Sequence, residues 1–331
     1  MHAVHIPHAG GPEVLEPIEC QRPKAASGEV LIRVHYGGIN RHDCNQRAAG
    51  RHPNRQLPVN IPGLEVFGEV AETGSDVASL RRGDHVCALV DGGGYAEFCI
   101  AQEALCMRWP VDRARQGAAL PEGLFAAWYN LMDLGRLESG QTVLIHGGTS
   151  GVGVVAVQLA QARGARVITT CGSSRKAALS RDLGAHEAFV YRDADFADRV
   201  LMAARDSVDV ILDLSGLGHF ALNLALAACG ARVLYLSSTG PAPCFDPAAF
   251  ASKQVWITAS RLRPLPTAQK ARLARNIACA PWLSLRDLQS VIDKEYPLSH
   301  ASAAHARMES GQHTGKILLS VFNGQSAGDG L

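Results

Sequence analysis

The segment Val143-Leu144-Ile145-His146-Gly147-Gly148-Thr149-Ser150-Gly151-Val152-Gly153 carries the most specific chemistry in the sequence. An apolar strand runs into a glycine-rich turn, and an apolar helix follows directly. Glycines let the backbone turn tightly and let a pyrophosphate approach, while the helix start offers free N–H groups and the positive end of its dipole. The spacing from Gly148 is G-x-x-G-x-G. Glycines alone say little, but glycines between a strand and a helix are what dinucleotide binding requires. The next strand points to the cofactor. Sites for NAD place an acidic residue about 20 positions on, against the ribose hydroxyls. Here Val167-Ile168-Thr169-Thr170 leads into Cys171-Gly172-Ser173-Ser174-Arg175-Lys176, which has hydroxyls and cations and no carboxylate. That chemistry repels nothing on a 2′-phosphate and can hold it, so the site favours NADPH. Ser173 and Ser174 also suit the cap of the following helix.

Other reactive residue types carry less. Nine cysteines are scattered, odd in number and free of any C-x-x-C pair. That pattern predicts free thiols in a reducing, cytoplasmic setting, with no disulfide frame and no structural zinc lobe. Thirteen histidines show no metal spacing, and neighbours in His42-Asp43-Cys44 point different ways, so no metal site is expected. His146 reads as a packing or hydrogen-bonding residue, and Cys171 as a buried thiol at a strand end.

These residues need elements to hold them. Residues 1–118 are β-rich: 29–36 alternates apolar and polar, 66–71 and 85–90 are short β runs, and Gly10-Gly11-Pro12, Gly37-Gly38 and Gly92-Gly93-Gly94 punctuate them. From about residue 120, short apolar strands alternate with helices at 118–134, 152–163, 174–183 and 218–228, the pattern of a parallel sheet with helical crossovers. The final stretch, 262–323, holds two more helices and two strands, with a fraying tail at 324–331. The 331 residues, with 32 Lys and Arg against 31 Asp and Glu, make a globular chain of about two domains without a basic field for nucleic acid. No apolar run is long enough to span a membrane, and no secretory leader is expected from residues 1–8, which lack a basic start followed by an apolar run.

Taken together, the loop 146–153 resembles that of the zeta-crystallin-like, zinc-free quinone oxidoreductases of the medium-chain dehydrogenase/reductase superfamily. Gly38-Ile39-Asn40-Arg41-His42-Asp43 matches the family's G-x-N-x-x-D. Pro62-Gly63-Leu64-Glu65, Gly93-Gly94-Tyr95-Ala96-Glu97, Leu120-Pro121-Glu122, Leu262-Arg263-Pro264 and His313-Thr314-Gly315-Lys316-Ile317 are similar too. The likeness covers nearly the whole chain and is nearest the tumour-suppressor-inducible branch. It implies an α/β protein with a GroES-like domain from both chain ends (1–118 with 262–331) and an inserted Rossmann domain (119–261). The cofactor is then expected in a cleft at the carboxyl ends of the parallel sheet. Ser150, Gly151 and Val152 would meet its pyrophosphate, Ser173 and Lys176 would hold its 2′-phosphate, and Tyr191 would lie against its adenosine; Gly148, Gly153 and Gly172 would also bind the cofactor. Asn40 would face the nicotinamide end, Leu262 would line the site, and Lys316 would close over the cofactor.

Zinc-dependent relatives carry Cys where this chain has Asn40 and His where it has Leu64. The resemblance therefore implies NADPH-dependent, zinc-independent reduction of quinones by direct hydride transfer. A Tyr common in the family a dozen residues after the Asn is absent, and Arg51-His52-Pro53 occupies that stretch; His52 is a candidate proton donor in the substrate pocket, with an exposed loop histidine as the alternative reading. A Thr common near the nicotinamide is replaced by Ala126. The edge strand 255–258 is expected to pair with a second copy, giving a homodimer. Two alternatives stay open: an enoyl-thioester or alkenal double-bond reductase, and a non-catalytic NADPH-binding protein of crystallin- or RNA-binding type.

Overall fold

A computed structural model describes residues 1–51, 59–205, 207–243 and 247–321. His52 and the tail 324–331 thus lie outside the described residues. The chain forms two compact units, 1–122 with 290–331 and 123–289. The expected boundary near 118 moves by a few residues, and the one at 261 moves to 289. The reason for the second shift lies in the helix Thr267–Cys279, whose Ala271, Leu273 and Ile277 are buried. Arg272 on this helix pairs with Asp133 at 3.1 Å, and the Gln289 N–H donates to Gln158 Oε1 at 2.7 Å. Both partners belong to the middle of the chain, so the stretch packs there.

The unit built from the chain ends is a mainly antiparallel sheet. Its central strand, Glu29–Ile39, pairs with Glu65–Thr73, Phe98–Gln102 and Lys316–Ser320. The alternation in 29–36 predicts a half-buried strand, yet Val30, Leu31, Ile32 and Val34 are all buried. Neighbours on both edges and packing on both faces enclose it. Val30, Ile32 and Val34 share a core with Val66, Val70 and Val86. The register matters for chemistry: Gly38 lies opposite Glu65, and Ile39 opposite Ile317. One step further along the antiparallel pair brings Lys316 to Asn40. The helix Arg41–Ala48, absent from the sequence reading, begins there, with the Asn40 N–H donating to Asp43 Oδ2 at 2.8 Å.

The unit 123–289 holds six parallel strands in the spatial order Glu187–Val190, Arg166–Cys171, Thr142–His146, Val208–Asp213, Ala227–Tyr235, Trp256–Ala259. Numbered along the chain this is 3-2-1-4-5-6, the doubly wound order whose switch point lies beside the first strand. Val143, Leu144, Ile145, Val210, Ile211 and Leu212 are fully enclosed, as both-face coverage by helices demands. Two expected elements differ. The helix over 118–134 is interrupted after Ala114–Ala118, resumes at Pro121–Trp128 and widens to a π-helix at Tyr129–Leu134. The helix over 218–228 shortens to Phe220–Leu226 because the next strand starts at Ala227. Among the described residues no helix is long and apolar enough to cross a membrane.

Candidate active site

The glycine loop is built by local constraint. After the strand Thr142–His146 the chain turns at Gly147, whose φ of 84° suits glycine. Ser150 caps the helix Gly151–Ala162, its Oγ accepting the Gly153 N–H at 3.1 Å. A Cβ on Gly153 would stand 2.1 Å from the Gly147 carbonyl oxygen, and one on Gly148 would stand 2.8 Å from Thr169 Cβ. The turn is therefore packed closely against the helix start and the neighbouring strand, with no room for side chains at Gly148 and Gly153. This fits the pyrophosphate expected at Ser150, Gly151 and Val152.

A second helix start lies at the end of the neighbouring strand Arg166–Cys171. Ser173 caps Ser174–Asp182, its Oγ accepting the Lys176 N–H at 3.3 Å. Gly172 sits under Tyr191: an added Cβ would be 3.1 Å from the tyrosine hydroxyl. Tyr191 is 39% exposed, an unusual setting for a large ring, and meets the edge of His219 at 6.3 Å between centroids. The structure thus brings Gly172, Ser173, Lys176 and Tyr191 to one end of the sheet, beside the loop. No carboxylate occupies 171–176, and the capped helix start with Lys176 in its first turn has the donors a 2′-phosphate needs. Leu262 is buried in the same unit.

Beneath the loop lies a network that the sequence reading did not assemble. His146 uses both ring nitrogens, Nδ1 with Thr170 Oγ1 and Nε2 with Asn223 Oδ1, each at 2.8 Å. Asn223 Nδ2 donates to Asp213 Oδ2 at 3.0 Å, and Ser215 Oγ donates to Asp213 Oδ1 at 2.6 Å. His219 stacks on His146 with ring centroids 4.3 Å apart. Burial drives the His146 pKa down to about 4, with Asp213 opposing that shift. Burial raises Asp213, but the nearby His219 and His146 rings and the donors of Ser215 outweigh it and hold the carboxyl well below the ordinary range. His146, Asp213 and His219 have ligand atoms within 4.8 Å of one another, a spacing a metal ion could use. A cation would first have to break one of the two His146 hydrogen bonds, so these residues as placed form a hydrogen-bonded support for the loop.

In the other unit, Asn40 is almost enclosed. Its Nδ2 donates to Glu65 Oε1 at 2.9 Å and its Oδ1 accepts from Lys316 Nζ at 2.6 Å. Lys316 Nζ also donates to Glu65 Oε1, and the Glu122 N–H donates to Glu65 Oε2 at 2.9 Å. Glu65 is 0% and Lys316 3% exposed. Glu65 was not among the residues expected to act. Its signal was an acid inside the apolar run Leu64-Glu65-Val66-Phe67, opposite a glycine. Leu64 is a fully buried core side chain.

A parallel sheet in the 3-2-1-4-5-6 order, with a glycine loop on its first strand, joined to a β-rich unit, defines an oxidoreductase dependent on a nicotinamide dinucleotide. Comparisons with known proteins agree. Residues 26–111 match the family model "Alcohol dehydrogenase GroES-like domain", and 151–275 match "Zinc-binding dehydrogenase". The quinone oxidoreductase of Mus musculus is 32% identical over 96% of this chain and 97% of its own length. The chain belongs to the quinone oxidoreductase family of the medium-chain dehydrogenase/reductase superfamily. A mycobacterial protein solved in complex with NADPH is 30% identical, with a TM-score of 0.82 over 97% of this chain and all of that one. A protein described as an NAD-dependent alcohol dehydrogenase is 25% identical, with a TM-score of 0.85 over 97% of this chain and 100% of that one.

Proposed function

We propose that this protein reduces quinones with NADPH, without zinc. The observation that carries the reading is the end of the second parallel strand, where Ser173 caps a helix, Lys176 lies in its first turn and 171–176 contains no carboxylate. Bound NADPH supplies the hydride. The loop from Gly148 to Gly153 holds the pyrophosphate, Gly172, Ser173 and Lys176 take the 2′-phosphate, and Tyr191 lies against the adenosine. Asn40 orients the reacting end. A quinone is electron-poor, so proximity and orientation are the main demands on the protein. Protons for the product oxygens come from water or from His52. The names of the quinone oxidoreductase relatives and the NADPH complex of the mycobacterial neighbour support this reading. We also infer a homodimer through the Trp256–Ala259 edge, at work in a reducing cytoplasm that keeps the free thiols reduced.

The test pairs binding with turnover. Calorimetric titration is expected to give tighter binding of NADPH than of NADH by about tenfold or more, the worth of one charge-assisted hydrogen bond. NADPH consumption is expected with phenanthrenequinone and naphthoquinones and to exceed that with crotonyl thioesters. Preference for NADH would overturn the cofactor assignment. Tight NADPH binding without turnover of any quinone would overturn the substrate class, and turnover of crotonyl thioesters alone would replace it with a double-bond reductase.

A further inference from the structure

We propose that Glu65 and Lys316 are positioning residues for hydride transfer, acting through Asn40. This rests on the reading above in one respect only, that Asn40 serves the nicotinamide end. Asn40 binds the pair through both ends of its amide: donor Nδ2 against the carboxylate, acceptor Oδ1 against the ammonium. A flip of the amide would set N–H groups against Lys316 and the carbonyl oxygen against Glu65, so the charges fix which end is which. Burial makes this strict, because neither Glu65 nor Lys316 can turn to water instead. One Nδ2–H remains beyond the Glu65 bond, and its direction is then set as well. The ligand chemistry that matches it is a carbonyl oxygen, as found on a nicotinamide carboxamide or a quinone.

The arrangement is built rather than incidental. Gly38 lies opposite Glu65 in the sheet, and a Cβ there would come within 2.3 Å of Glu65 Oε1, so only glycine leaves room for the carboxylate. Glu65 Oε2 is filled by the Glu122 N–H at the start of the helix Pro121–Trp128. The carboxylate thus ties together chain positions 40, 65, 122 and 316. A buried ion pair is a poor device for stability, since desolvation of both charges offsets much of their attraction. Fixing one orientation of a neighbouring amide is something an apolar pair in its place could not do. In this role Lys316 acts behind Asn40 instead of touching the cofactor.

The experiment uses the full chain with the variants Glu65→Gln, Lys316→Met, Lys316→Arg and the double variant Glu65→Gln/Lys316→Met, which leaves no unpaired buried charge. Four readouts are taken: thermal midpoint, NADPH affinity by calorimetry, fluorescence anisotropy of the bound nicotinamide, and kcat and KM with 1,4-naphthoquinone. Both single neutral variants are expected to keep NADPH affinity within about twofold, to lower the bound anisotropy, and to lose about tenfold or more in kcat, the scale of a misplaced reacting group. Lys316→Arg recovers part of kcat. The double variant recovers the thermal midpoint but not kcat or anisotropy, which a merely structural role would restore together. Parental kcat and anisotropy in folded single variants overturn the proposal. So does a large loss of NADPH affinity in Lys316→Met with none in Glu65→Gln, which would mark direct cofactor contact. If the parent binds NADPH but reduces no quinone, the substrate reading fails while the anisotropy still decides the positioning role. If the parent binds no NADPH, both fall.

Discussion

Gly153 shows how little freedom a single residue has in this fold. Its missing side chain is the space taken by the Gly147 carbonyl oxygen, 2.1 Å from where a Cβ would stand, with the Gly148 carbonyl carbon at 2.8 Å. Both obstacles are backbone, so no rotamer change relieves them. Gly153→Ala is expected to push the turn off the helix start, to cost about 1–3 kcal/mol of stability as overpacking does, and to weaken NADPH binding more than that cost alone explains. Urea unfolding with calorimetric titration checks this; an alanine variant that binds NADPH as tightly as the parent would show that the turn does not set the phosphate site. The glycine turn before the helix Gly151–Ala162 and the cap at Ser173 were legible in the sequence because capping and turning are encoded within a few positions of one another. Glu65 was not, because its partners Asn40, Lys316 and Glu122 come from three other segments and meet only through strand register and a helix start. The stacking of His219 on His146 was hidden for the same reason.

At the scale of elements, the strands of the parallel sheet were readable as short apolar runs and the polar helix Ser174–Asp182 was read from its cap, whereas the helix Arg41–Ala48 was not. The helix Arg41–Ala48 has almost no apolar periodicity, and its buried residues include Asp43, Gln46 and Arg47, so hydrophobic pattern could not reveal it. Its start is marked instead by the bond from the Asn40 N–H to Asp43. The strand Trp256–Ala259 raises a different question. It is the last strand of the sheet, pairing with Ala227–Tyr235 on one side, and Trp256 is 64% exposed with the Arg232 guanidinium 5.3 Å from its ring centre. An apolar edge of this kind invites another strand, and a second copy offers an identical one across a two-fold axis. Trp256→Lys introduces the charge that blunts natural edges. Sedimentation velocity is expected to find a dimer for the parent and a monomer for the variant, with NADPH affinity kept, since Trp256 is remote in sequence order from the glycine loop and lies on a strand at the sheet's edge. A parent that sediments as a monomer at tens of micromolar would rule the interface out.

For the whole molecule, each unit encloses an imidazole that burial holds neutral, and this ties the stability of the protein to pH. In the nucleotide-binding unit, burial lowers the His146 pKa to about 4, against the pull of Asp213. In the other unit, burial, with Arg47 adding to it, lowers that of His305 to about 3. There His305 Nε2 meets the Tyr95 hydroxyl at 2.9 Å, and the same hydroxyl donates to Asp43 Oδ2 at 3.4 Å. Unfolded, both rings titrate near pH 6.5, so between that value and the folded pKa the unfolded chain binds protons the folded chain refuses. Both groups leave stability intact above about pH 6.5 and remove it as pH falls, by about 1.4 kcal/mol per pH unit for each ring. From pH 7 to 5 the two together amount to about 4 kcal/mol, a large part of the margin of an ordinary domain. Because one ring sits in each unit, neither unit should survive acid as a folded remnant of the other. Urea unfolding at pH 7, 6 and 5 is expected to show this fall, and His305→Gln, which cannot be protonated, to remove about half of it. A midpoint that stays level over that range would mean that the folded protein admits protons to both rings, and that the hydrogen bonds drawn from His146 to Thr170 and Asn223 do not persist in solution.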